Sequence, residues 1–182
     1  MEGTESLKTG ISIIDSQLGG LKLGRLLLIS GGRGISILCL YLARMVSEEG
    51  HCIIVSFSRD RETIRREAEE SIGWSFPESV DVISLAEGVP NHRLQRSPDV
   101  LLYDIWQRLK LKLEEGAKRC LLIVEFINDF IHMYGAKIDD LLQFVEGLRR
   151  YLRELPRISI IMTYDEYSYI PEVSPETLIY EL

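Results

Sequence analysis

An apolar run, a glycine-rich stretch and a second apolar run follow one another in the segment Leu26-Leu27-Leu28-Ile29-Ser30-Gly31-Gly32-Arg33-Gly34-Ile35-Ser36-Ile37-Leu38. The apolar run at the start of this segment is typical of a strand buried on both faces of a parallel sheet. A glycine-rich turn follows the run, and apolar side chains then recur at helical spacing. The segment therefore predicts a strand, a tight loop and a helix in immediate succession.

The same arrangement surrounds the phosphate-binding motif GxxxxGK[ST], in which backbone N–H groups hold phosphates, lysine reaches the β- and γ-oxygens, and Ser/Thr binds Mg²⁺. Counted from Gly31, the second glycine position is Ser36, the lysine position is Ile37 and the Ser/Thr position is Leu38. The sequence thus predicts the scaffold of a nucleotide site without the side chains that bind the γ-phosphate and the metal.

Two interpretations of this loop remain open. The backbone N–H groups and the helix dipole can hold a phosphate without lysine, and in that case ATP would be a bound cofactor. Alternatively, the glycines form only a structural turn and no cofactor is expected, which the apolar residues at the helix start favour. The residues of such a residual phosphate pocket would be Gly31, Gly32, Arg33, Gly34 and Ser36.

Strands and helices alternate along the rest of the chain. Further strands are predicted at His51–Phe57, Val80–Leu85, Arg119–Val124 and Ser159–Thr163, with a last edge strand at Leu178–Leu182. Helices are predicted at Ser36–Glu49, Ser58–Ile72, Asp99–Glu115 and Asp139–Leu155, and Asp99 is expected to cap the third of them. Thr9–Gly24 and Phe126–Lys137 are expected to be irregular. The pattern predicts an α/β three-layer sandwich with a mostly parallel central sheet.

Length and composition restrict the classes of function. A chain of 182 residues predicts a single domain, with a leading segment 1–24, a core 25–163 and a tail 164–182. The net charge of -7 argues against nucleic acid or anionic lipid as a partner. No signal peptide or membrane span is visible, so a cytoplasmic protein is expected. Two Asn and four Gln are few, which hints at a thermophilic source.

The cysteines and histidines do not form a recognisable catalytic or metal-binding pattern. Cys39, Cys52 and Cys120 each lie in or beside an apolar run, without CxxC or a histidine at metal-ligand spacing. They are interpreted as core thiols in a reducing compartment, and no metal site is expected. His51 and His132 lack the nucleophile and carboxylate spacing of a catalytic set.

The chain resembles the RecA superfamily, and within it the KaiC-like group of single-domain ATPases, from about residue 9 to residue 163. The resemblance implies a RecA-like P-loop fold, because its stretches follow one another in the family's order. The leading Thr9-Gly10-Ile11 … Asp15 … Gly19-Gly20 … Gly24 is similar to TGIxxLDxxLGGGxxxG, with one residue missing. Residues 30–45 resemble SGxxGTGKTTLAxxF, residues 55–60 resemble VSLEED, and residues 121–125 and 160–163 resemble the Walker B strand and a later strand.

The resemblance also implies that the catalytic positions have changed. Ile37 stands at the Walker A lysine and Leu38 at the threonine that holds Mg²⁺. Ser58 and Arg59 stand at the tandem glutamates that activate water, and Glu125 at the Walker B aspartate. Because phosphoryl transfer depends on a metal, a cation and a positioned water, we expect no catalytic residue and an inactive ATPase homologue.

The function expected from this degenerate site is contact with other proteins. The chain would act as a regulatory or structural partner of a RecA-like assembly, or by self-association. One alternative is a nucleotide- or phosphate-binding regulator that binds ATP without efficient hydrolysis. A weaker alternative is an accessory protein of DNA recombination or repair.

Several polar and aromatic side chains carry a secondary interpretation. Glu125 and Arg59 are expected at the same sheet edge, where they would form an ion pair. Asn128 and Asp129 are interpreted as a solvated turn, with a contact to a ligand as the alternative. A basic group is interpreted as a solvated loop, with contact to an acidic partner as the alternative; its members are His92, Arg93 and Arg96. An aromatic group is interpreted either as an interface or as a cover for the sheet edge; its members are Tyr164, Tyr167, Tyr169 and Ile170.

Overall fold

The centre of the structure is a sheet of five parallel strands. The computed structural model describes residues 6–12, 14–32, 34–86, 98–134, 138–155 and 157–167. The strands are β1 (Ser6–Leu7), β2 (Leu21–Lys22), β3 (Leu26–Gly31), β4 (His51–Ser56), β5 (Val80–Ser84), β6 (Cys120–Glu125) and β7 (Ile158–Asp165). The first two pair as a small antiparallel ribbon, and the others form the sheet in the order β3-β7-β6-β4-β5.

Helices cover both faces of this sheet. They are α1 (Ile35–Ser47), α2 (Arg61–Ile72), α3 (Pro98–Glu114), α4 (Ile127–Tyr134) and α5 (Ile138–Glu154). One core lies between the sheet and α1 with α2, and a second lies between the sheet and α3, α4 and α5. This arrangement confirms the predicted α/β three-layer sandwich.

The central strands β4, β6 and β7 are mostly apolar because both of their faces are buried. The prediction that β3 is buried on both faces is wrong, because it lies at the edge of the sheet and is only half-buried. In β4, Cys52 and Ile54 pack towards α1, whereas Ile53 and Val55 pack towards α3 and α5. None of these four residues is measurably exposed. The continuous apolar run in the sequence is thus explained by alternation between two cores.

Two segments predicted to be irregular contain regular structure. Ile127–Tyr134 forms α4, because Ile127, Phe130 and Ile131 recur at helical spacing and pack into the core. The leading segment contains a π-helical turn, Ile14–Leu18, and the strand β2. Strands of two residues are too short to show the alternation by which strands are recognised in sequence.

The starts of two helices also differ from the prediction. α3 begins at Pro98, so Asp99 lies inside its first turn and is not its cap. Proline suits this first position because its backbone angle is already helical and it has no N–H to satisfy. α2 begins at Arg61 instead of Ser58, and Asp60 caps it by accepting a hydrogen bond from the Thr63 N–H at 2.6 Å. The predicted edge strand Leu178–Leu182 lies outside the described residues.

None of the helices in the described ranges combines the length and the apolar character needed to cross a lipid bilayer.

Candidate functional site

The glycine loop lies at the carboxyl edge of the sheet, between β3 and α1. Gly34 occupies the position before the first helical residue, and the Ile35 N–H donates to the Gly32 carbonyl at 3.0 Å. A Cβ atom at Gly34 would meet no other atom within 4 Å, so this part of the loop faces open space. The carboxyl edge of a parallel sheet is where α/β folds bind ligands. Arg33, which was predicted to belong to the residual phosphate pocket, lies outside the described residues.

The first turn of α1 carries uncharged side chains. Ser36 is buried, Ile37 is 38% exposed, and Leu38 packs partly into the core beneath the helix. The two positions that would bind the γ-phosphate and Mg²⁺ are therefore apolar, one facing solvent and the other the protein interior. These side chains can supply neither a positive charge nor a metal-binding oxygen.

A tyrosine ring covers part of the loop. Tyr167 follows β7, which pairs with β3 so that Asp165 lies opposite Gly31. A Cβ atom at Gly32 would overlap the Tyr167 ring, so glycine at this position lets the ring lie against the loop. Tyr167 is nevertheless 82% exposed. Its contact with the loop depends on strand pairing, which the sequence alone did not reveal.

Glu125 ends β6 and forms an ion pair with Arg59. The Arg59 Nη2 atom donates to Glu125 Oε1, and the Arg59 Nη1 atom donates to Glu67 on α2. The Glu125 side chain is 1% exposed and that of Arg59 is 17% exposed. The predicted pair is present, and Glu67 is a third member that the sequence analysis missed.

Local strand geometry brings the pair together. Ser56 at the end of β4 lies in register with Glu125 at the end of β6. Three residues further on, the Arg59 N–H donates to the Ser56 hydroxyl at 3.2 Å, which turns the chain back over the sheet edge. The guanidinium carbon of Arg59 lies 5.8 Å from the centre of the Phe126 ring, within the range of a cation–π contact.

Burial and pairing act in opposite directions on the pKa values of these two groups. Burial raises the pKa of the Glu125 carboxyl, and the charge of Arg59 opposes this rise. Burial disfavours the charged form of Arg59, but Glu125 and Glu67 outweigh it and raise the pKa of the guanidinium. Arg59 Nε and Glu125 Oε2 are buried without a hydrogen-bond partner in the described part of the chain. The pair therefore leaves one donor and one acceptor unsatisfied, which limits its contribution to stability.

Asn128 holds the end of β7 in place beside this pair. Its side-chain Nδ2 donates to the Asp165 carbonyl at 3.2 Å, and its Oδ1 accepts from the Asp165 N–H at 3.1 Å. The interpretation of Asn128 as part of a solvated turn is therefore wrong, because the side chain is fully buried in α4. Asp129 lies in the same helix and is half-buried. A buried amide needs hydrogen-bond partners, and the backbone of β7 provides them.

The other candidate residues do not join this site. Tyr164 is 2% exposed and lies on β7 in the core, so neither predicted role, an interface or a cover for the sheet edge, applies to it. His51 contacts Asp81, with Nε2 and Oδ2 3.3 Å apart, and burial lowers the pKa of its imidazole. His132 is exposed on α4. The predicted sites at His92, Arg93, Arg96, Tyr169 and Ile170 lie outside the described residues.

The three cysteines are buried free thiols. Burial raises the pKa of Cys120 to about 11 and raises the pKa values of Cys39 and Cys52 as well. Within the described ranges, no three side chains of His, Cys, Asp or Glu come together in a way that could hold a metal ion.

The fold is similar to that of two solved archaeal proteins. A KaiC-like protein from the hyperthermophilic archaeon Pyrococcus horikoshii aligns with a TM-score of 0.70 and 20% identity, over 92% of this chain and 74% of its own. The flagellar accessory protein FlaH from Methanocaldococcus jannaschii aligns with a TM-score of 0.62 and 19% identity, over 97% of this chain and 76% of its own. No family model and no curated protein sequence matches the chain. The structural likeness confirms the RecA/KaiC-like fold.

Proposed function

We propose that this protein is a RecA/KaiC-like module that does not hydrolyse nucleotides and acts through contacts with other proteins. The observation that carries the proposal is the Arg59–Glu125 pair at the carboxyl edge of the sheet. It gives Glu125, the carboxylate at the Walker B position, an internal cation as its partner.

The pair disfavours a divalent metal at this edge. Mg²⁺ binds through carboxylate and hydroxyl oxygens and keeps several waters. Glu125 is almost fully buried and already neutralised by Arg59, and the hydroxyl that would bind beside it is replaced by the side chain of Leu38. A second cation next to the guanidinium would also be repelled, and the repulsion is strong where water is excluded.

The pair also disfavours activation of water. A general base must accept a proton from the attacking water. Arg59 is held in its charged form by two carboxylates, so it has no free lone pair, and Ser58 is an exposed neutral hydroxyl. Neither residue can replace the glutamates that the family resemblance assigns to these positions.

A second candidate function is the binding of a phosphorylated ligand without hydrolysis. It is favoured by the start of α1, where Gly34 provides no side-chain cap and faces open space. A helix N-terminus of this kind attracts anions through its N–H groups and its dipole. A role next to DNA is disfavoured by the net charge of -7.

Calorimetric titration with ATP, in the presence and absence of Mg²⁺, distinguishes these functions. If the module does not bind ATP–Mg²⁺, the titration with ATP should show no saturable heat that appears only when Mg²⁺ is present. Saturable binding independent of Mg²⁺ and lost in Gly34→Asp would support the phosphorylated-ligand candidate instead. The variant is a suitable control, because aspartate is a favoured helix cap and the site has room for it. Saturable Mg²⁺-dependent binding that is lost in Glu125→Gln would contradict the account of the pair.

A further inference from the structure

A groove between α3 and α5 lies on the face of the sheet opposite α1. It has a volume of about 590 Å³, which is within the range of binding pockets. Its apolar part is formed by aromatic side chains, and its margin carries more acidic than basic groups. The lining includes Leu102, Tyr103, Trp106, Gly147 and Tyr151 together with Asp99, Glu146, Arg150 and Glu154.

The aromatic part of the groove is rigid on one side and exposed on the other. Trp106 and Tyr151 pack with ring centres 5.0 Å apart, and the Tyr151 hydroxyl donates to the Leu102 carbonyl. Tyr103 stands beside them with 63% of its surface exposed. Large aromatic side chains held in this way lose little entropy on binding and are enriched at the centres of protein interfaces.

Gly147 lies beneath the Leu102 side chain where α3 and α5 meet. A Cβ atom at this position would come within 2.6 Å of the Leu102 Cδ1 atom, so the end of the Leu102 side chain packs directly over the glycine. Glycine within a helix costs about 1 kcal/mol relative to alanine, so its presence here has a packing reason. The groove is therefore defined by a close helix contact.

The charge of the groove indicates which kind of ligand fits. Glu146 is already paired with Arg149 and Arg153, at 3.5 and 2.6 Å. The remaining charged groups of the lining are Asp99 and Glu154 against Arg150. Carboxylates thus outnumber the one cation at the margin of the aromatic surface, which makes the groove complementary to a cation.

We propose that this groove binds a short basic segment of a partner protein, with an arginine or lysine side chain against Tyr103 and Trp106. The charge of that side chain faces Asp99 and Glu154, and an apolar neighbour lies against Leu102. The chain's own last fifteen residues do not fit, because they carry three glutamates and no lysine or arginine. A second copy of this chain, with a net charge of -7, is also less complementary than a basic partner.

Selection of displayed random 12-residue peptides on the full chain tests the proposal. Peptides that bind elsewhere on the protein are removed by counter-selection on the Tyr103→Lys variant, whose added cation repels a basic peptide from the groove. We expect the remaining peptides to be enriched in arginine or lysine next to an aliphatic residue. Selected peptides that are predominantly acidic or uncharged would overturn the proposal.

Fluorescence anisotropy with the selected peptides then locates the site. Tyr103→Ala should weaken binding about fivefold or more, as expected for an interface anchor. The double variant Asp99→Asn with Glu154→Gln should also weaken peptide binding, and the loss of affinity should be larger at low salt than at high salt. The matched control is Leu111→Ala, which truncates a residue on the same helix that is 51% exposed and outside the groove. Equal affinity in the Tyr103→Ala and Leu111→Ala variants would refute the assignment.

This experiment is independent of the proposed function at the glycine loop. The groove variants alter peptide binding and lie on the opposite face of the sheet from α1. Nucleotide turnover by the wild type would contradict only the proposal that the glycine loop is inactive. Unchanged peptide affinity in the Tyr103→Ala variant would contradict only the proposal that the groove binds a basic segment.

Discussion

Replacing Arg59 by methionine removes the cation from Glu125 while keeping a side chain of similar length. Removal of one partner of a buried ion pair costs about 3–5 kcal/mol, because the remaining charge stays desolvated. Glu125 is 1% exposed, so its carboxylate remains buried, but the space left by the 17% exposed Arg59 side chain is open to solvent at one side. We therefore expect a loss of about 3 kcal/mol, the lower end of that range, at pH 8.

The loss should depend on pH in one direction. Burial already raises the pKa of Glu125, and the variant lacks the charge that opposes this rise. A carboxyl whose pKa is higher in the folded than in the unfolded state favours folding at low pH, and this contribution disappears as pH rises through the folded-state pKa. The destabilisation of Arg59→Met should therefore shrink when the pH is lowered from 8 to 5.

Equilibrium urea unfolding followed by circular dichroism measures this effect, with Arg65→Met as the control. Arg65 is exposed on the same helix as Glu67, so its replacement should leave the unfolding midpoint unchanged. The double variant Arg59→Met with Glu125→Leu should regain most of the lost stability, because replacing both partners by apolar groups is often neutral. Equal midpoints for Arg59→Met and Arg65→Met at pH 8, or a destabilisation that grows as pH falls, would refute the reasoning.

Three further predictions concern packing, thiol chemistry and association. Gly147→Ala should not give the gain of about 1 kcal/mol that helix propensity alone predicts, because the new Cβ displaces the end of the Leu102 side chain. A free energy of unfolding that rises by the full amount would contradict this packing contact. The three buried thiols should react with a disulfide reagent at pH 8 only after denaturation, since the pKa of Cys120 is raised to about 11; rapid reaction of the folded protein would show otherwise. Truncation after Tyr167 leaves β7 intact. If the tail is an interface, light scattering should show loss of association while folding is unchanged. Loss of folding would instead identify the tail as a structural cover.

The sheet could be predicted from sequence because its strands are rich in apolar residues and its central strands are buried on both faces. Apolar runs marked all five strands, and the bounds predicted for β4, β5, β6 and β7 differ from the structure by only one or two residues. The order β3-β7-β6-β4-β5 was not predicted, because neighbours in the sheet depend on how each crossover returns. The helix α4 was missed because it is short and follows β6 directly. Its buried Asn128 reads as a turn residue unless the backbone partner at Asp165, 37 residues away, is known.

The part of the candidate site that could be predicted is the part that follows from the geometry of parallel strands alone. Glu125 and Arg59 follow strands that end at the same edge, so their contact could be inferred from the topology of parallel strands. Glu67 was missed because its approach to Arg59 depends on where α2 begins. The contact of Tyr167 with Gly32 was missed because it requires the register between β3 and β7.

Release of inorganic phosphate from ATP–Mg²⁺ by the purified full chain tests the central claim most directly. The account predicts that the wild type and Gly34→Asp release phosphate at the same background rate, and that Ile37→Lys alone does not raise it, because Arg59 still leaves no base. Turnover by the wild type that disappears in Gly34→Asp would contradict the claim that this RecA/KaiC-like site is inactive.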